Sequence, residues 1–67
     1  MSLNLMPNIK DPDGFYDALI SAHEGLDKAQ SDAMNARLIL ILANHIGDQD
    51  ALRQAIDTAR MDFESAP

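Results

Sequence analysis

The sequence predicts an all-α fold, a three-helix antiparallel bundle with a central apolar helix, completed by homodimerisation. Three observations predict it. Helix-start chemistry recurs at Asp11, Asp27 and Asp48, and apolar residues recur between these points at helical spacing. The stretch from Asn35 to Gly47 is apolar over most of its circumference, with Leu38 to Ala43 an unbroken hydrophobic run. That run is too short to span a bilayer, which takes roughly 20 apolar residues, so it needs protein as cover.

The chain has 67 residues and no cysteine. A domain of this size buries only about 60% of the surface its unfolded chain exposes, and neither disulfides nor thiolate metal sites can staple it. Oligomerisation or very good helix packing is the remaining route to stability. With Asp and Glu numbering 11 against 5 Lys and Arg, the formal charge is −6. Phosphate backbones and anionic lipid repel such a chain, so neither nucleic acid nor membrane is expected as a partner. The start, Met-Ser-Leu-Asn-Leu-Met-Pro, lacks the basic opening and long apolar core of a signal peptide, which points to the cytoplasm.

Residues 1–10 show no helical period, yet Leu3, Leu5, Met6 and Ile9 are too apolar for an ordinary tail. They are expected to form an extended arm lying on a neighbouring surface. The domain proper is expected to span 11–64. Asp11 caps the first helix, Pro12 suits its first position and Asp13 favours the positive end of the dipole. Phe15, Leu19, Ala22 and Leu26 fall on one stripe, with Tyr16, Ile20 and His23 beside it, giving a helix over about 12–25 that Gly25 can end in a left-handed conformation. Asp27 and Gln30 have the form of a capping box, with Ser31 a competing start, and open a second helix over about 28–46. So short a connection folds the two into a hairpin. Gly47 ends this helix and Asp48 caps a third over about 49–63. There Leu52, Ala55, Ile56, Ala59 and Phe63 make a narrow apolar stripe, while Arg53 with Asp57 and Arg60 with Glu64 have ion-pair spacing on the other face. Residues 65–67 are expected to be a loose end.

On the second helix only Gln30, Arg37 and Asn44 form a coherent polar strip, and two helices cannot wrap the remaining arc of about 300°. Ala36, Leu40, Ala43 and Gly47 make a stripe of mostly small residues that lets another helix approach closely. This stripe, or the neighbouring Ile39 and Ile46, is expected to meet the same helix of a second subunit around a two-fold axis. A monomer in which the arm and the splayed outer helices cover the surplus is the competing arrangement.

Four polar residues stand where the pattern does not require them: His23, Asn35, Arg37 and His45. A histidine on an apolar face is ordinarily a hydrogen-bonded core or interface residue, and Glu24 points to the opposite face from His23, so the two are not a ready-made dyad. Within one chain His23 and His45 lie at opposite ends of the hairpin, roughly 20 Å apart at 1.5 Å per residue, so they cannot share a metal there. Arg37 is expected level with Asp17, as an ion pair or, alternatively, an anion site. Asn35, Asn44 and His45 are expected to fix helix register by hydrogen bonding. No serine lies in a nucleophile elbow or beside a histidine on the same face, and no glycine-rich loop offers a phosphate cradle.

With Asp11-Pro-Asp-Gly-Phe-Tyr16, Ala22-His-Glu-Gly-Leu26 and Asn35-Ala-Arg-Leu-Ile-Leu-Ile-Leu-Ala-Asn-His-Ile-Gly-Asp48 in view, the chain resembles a family of short bacterial, mainly proteobacterial, proteins classed as a domain of unknown function. The likeness runs from about Asp11 to Arg60. It implies a self-contained bacterial protein and brings no activity, ligand or catalytic residue. It directs attention to His23, Glu24, Asn35 and Arg37, and then to Asn44, His45 and Asp48, as candidate interface or ligand positions. The self-association face is Ala36, Ile39, Leu40, Ala43 and Ile46.

The functional expectation is therefore a small non-catalytic helical accessory protein, acting through self-association and a larger protein partner. No catalytic residue, cofactor or metal is assigned. The alternative is a small-ligand binder or enzyme whose site crosses a subunit interface and uses His23, Arg37 and His45.

Overall fold

Residues 2–63 are described by a computed structural model; the expected loose end at 65–67 and the Arg60–Glu64 pair lie outside them. The architecture is all-α, with helices α1 (Pro12–His23), α2 (Lys28–Ile46) and α3 (Gln49–Arg60), and α3 runs on into a 3-10 turn, Met61–Phe63. No strand occurs among the described residues.

Each helix begins where a carboxylate can satisfy free backbone donors. Asp11 accepts from Gly14 N at 3.0 Å, with Pro12 at the first helical position. At α2 the capping box forms completely: Gln30 N donates to Asp27 Oδ1 at 2.8 Å, and Asp27 N donates back to Gln30 Oε1 at 3.1 Å. Ser31 is thereby left inside the helix. Asp48 accepts from Asp50 N at 3.0 Å and Ala51 N at 3.4 Å. The helix ends are equally local. α1 stops at His23 with Glu24 as its cap, and Gly25 follows at φ +79°; Gly47 closes α2 at φ +70°, its N–H donating to Ala43 O at 2.9 Å. Both glycines occupy the left-handed region that side chains disfavour.

The cover over α2 is thin. α1 lies over its first half, where Phe15, Ala18, Leu19 and Ala22 share a shallow apolar hollow of about 220 Å³ with Met34 and Leu38. α3 diverges from its second half and leaves an open groove. Ile39, Leu40, Ile41 and Leu42, four successive residues of the hydrophobic run, therefore stay exposed, Leu40 at 69%. Ala51 is the one buried residue among those described. The radius of gyration is 14.1 Å, against about 11 Å for a compact chain of this length. The arm touches α3 through Leu3, whose N–H donates to Gln54 Oε1 at 3.1 Å.

Surface charges contribute little to the fold. Between described residues the ion pair is Lys28 with Asp32, at 3.0 Å on an exposed helix face. Two expected pairings do not form: Arg53 makes no bridge to Asp57, and Arg37 makes none to Asp17. An exposed pair gains only a few tenths of a kcal/mol, too little to hold two long side chains against solvent.

Candidate functional site

His23 and Asn35 are the two singled-out residues that the fold brings together. His23 is the last residue of α1, half-buried, with Nδ1 2.7 Å from Leu19 O and Nε2 3.0 Å from Asn35 Oδ1. A carbonyl oxygen can only accept, so the proton sits on Nδ1 and donates to Leu19. Nε2 then completes the bond in one of two protonation states. The imidazolium donates to the Asn35 carbonyl oxygen; the neutral ring accepts from the Asn35 amide turned end for end. Either way both ring nitrogens are occupied, and the imidazole pins the end of α1 to the second turn of α2.

The other candidates are dispersed. Glu24 caps α1 through its backbone N–H, which donates to Ser21 O at 3.2 Å, and its side chain is exposed. Asp48 is half-buried and caps α3. Arg37, Asn44 and His45 are exposed, and none makes a side-chain hydrogen bond or ion pair with another described residue. His45 lies ten positions beyond Asn35, about 15 Å along the axis at 1.5 Å per residue, so His23 and His45 do not meet in one chain. Among the described residues no three His, Asp or Glu side chains converge as metal ligands.

A concavity larger than the hollow under α1 lies elsewhere, in the groove of about 550 Å³ between the second half of α2 and α3. Ile39, Leu40, Leu42, Ala43 and Ile46 form one wall; Leu52, Ala55, Ile56 and Ala59 form the other. Gln49 and Arg53 are its polar residues. Such a surface has no nucleophile, no acid–base pair and no convergent donors, and what it offers is apolar area. Of the groove's α2 residues, Ile39, Leu40, Ala43 and Ile46 belong to the face singled out in the sequence and Leu42 does not; the α3 wall lies outside it. Its Leu52, Ala55, Ile56 and Ala59 stripe was visible, but was assigned to covering α2.

A family model described as a protein of unknown function, DUF2783, matches residues 3–61. The chain belongs to the DUF2783 family. The match runs from Leu3, the arm residue bonded to Gln54, to the first residue of the 3-10 turn, and so takes in all three helices and both walls of the groove. No curated protein and no solved structure matches this DUF2783 chain. No helix among its described residues is long and apolar enough to cross a membrane.

Proposed function

We propose that the protein is a small non-catalytic accessory factor that acts by assembly, first with itself and then with a larger protein. One observation carries this reading, the surface area. The chain exposes 6166 Å², whereas a folded monomer of its 7.3 kDa mass exposes about 4,200 Å². The surplus, roughly 2,000 Å², exceeds the ~800 Å² that each partner contributes to an interface of standard size. Aliphatic side chains contribute to it, Ile39, Leu40 and Ile41 each being more than three-fifths exposed. A contiguous exposed aliphatic run of this kind supports protein contact.

A cytoplasmic setting in a bacterium is part of the same proposal, favoured by the acidic, cysteine-free composition and by the Asn35–Asp48 block. Light scattering coupled to size exclusion, over a wide dilution series, tests the reading. A dimer or higher oligomer is expected, and a charge at Leu40 or Ala43 should disrupt it. A wild-type chain that stays monomeric at every concentration and binds no hydrophobic dye would remove the reading.

A further inference from the structure

We propose that the groove between α2 and α3 seats a second copy of this chain, set around a two-fold axis so that α2 of each copy lies on α3 of the other. The two hairpins then close a four-helix core, with α1 outside it. The proposal rests on the self-association reading and adds the surface and its occupant.

The two walls carry the same pattern. Ile39, Leu42, Ala43 and Ile46 on α2 stand at i, i+3, i+4 and i+7, as do Leu52, Ala55, Ile56 and Ala59 on α3, and Leu40 widens the α2 wall on one side. Equal spacing lets a ridge of one wall sit in the furrow of the other. The sizes also complement. α2 is mostly large and α3 alternates large with small, so Ile39, Leu42 and Ile46 of one copy find room over Ala55 and Ala59 of the next, as interdigitated helix layers require. Two α2 walls facing each other would instead oppose large residues to large ones.

Electrostatics permit the pairing. Although each copy carries −6, no acidic residue lies between Asp32 and Asp48, so the α2 wall is free of like charge. The exposed surface suits such a contact as well, because Ile39, Leu40, Leu42, Ile46 and Ile56 around the groove are each at least 45% exposed, aliphatic surface of the kind a homodimer buries. Ile56, 68% exposed on the α3 wall, would be covered.

Because the chain has no cysteine, single thiols can report the contact. Ala43→Cys and Ala59→Cys proteins are mixed and oxidised, with Tyr16→Cys on α1 as control. A mixed 43–59 disulfide forming in preference to either homodisulfide is expected. In light scattering, Ile56→Glu should weaken the dimer at least tenfold while Tyr16→Glu leaves it intact. A 43–43 disulfide in preference to the mixed species overturns the arrangement of α2 on α3. A dimer that survives Ile56→Glu and is broken by Tyr16→Glu overturns the groove as interface but leaves self-association standing. A wild-type chain monomeric at all concentrations overturns both.

Discussion

His23 closes α1 and Asn35 sits in the second turn of α2, and the 3.0 Å bond between them ties the first two helices side chain to side chain. Its removal should therefore loosen the hairpin. His23→Ala and Asn35→Ala should each lower stability by about 1 kcal/mol, and the double variant by less than the sum of the two. Urea denaturation of the three variants checks this; additive losses would mean that the bond contributes nothing.

The αL glycine at the end of α2 gives a second test. Gly47 has φ +70°, and an added Cβ would meet only ordinary contacts, 3.8 Å from Asn44 O. Gly47→Ala should thus lower stability by about 1 kcal/mol through backbone strain alone, without changing assembly. Thermal melting and light scattering on the same sample separate the two effects.

At Gly14 the expected damage has another origin. A Cβ there would run into the Asp11 carboxylate that caps α1, although the backbone is not left-handed. Gly14→Ala should displace that cap and resemble Asp11→Ala, with a loss of about 1 kcal/mol and fraying confined to α1. Amide hydrogen exchange should show faster exchange in the first turn of α1 and unchanged exchange in α3.

Asp27→Ala removes one half of the capping box and leaves Gln30 without its reciprocal partner. A loss of about 1 kcal/mol is expected, with helix α2 starting later, at the competing Ser31. Backbone chemical shifts for residues 27–31 would report the shift in start.

Association between copies that each carry −6 is opposed by long-range repulsion. Raising salt toward about 1 M, where the screening length falls to about 3 Å, should tighten the oligomer. Its melting temperature should also rise with protein concentration, since assembly stabilises by mass action. Sedimentation at low and high salt tests the first, and melting over a hundredfold dilution the second.

What was legible in the sequence was the chemistry that acts within a few residues. Asp11, Asp27 with Gln30, and Asp48 each make the cap bonds that their spacing implies, and Gly25 and Gly47 take the backbone conformation that only glycine adopts cheaply. Membership of a family of unknown function, expected from the sequence, is matched by the family model over residues 3–61. What was not legible depends on how helices lie on one another. His23 and Asn35 were each conspicuous, but twelve positions separate them, and their pairing follows from the way α1 crosses α2. The α3 wall of the groove was misjudged for the same reason. Its apolar stripe was plain, yet whether a stripe closes on its neighbour or stands away from it is decided by the angle between helices, which periodicity does not encode.

The exposed sequence Ile39-Leu-Ile-Leu42 also bears on the life of the protein in a cell. A solitary chain shows water the kind of continuous aliphatic tract that chaperones and proteases bind. If the chain pairs through the groove as proposed, unpaired copies would be marked for removal by Ile39, Leu40 and Leu42, which pairing would hide, and the steady amount of the protein would follow the amount that is paired.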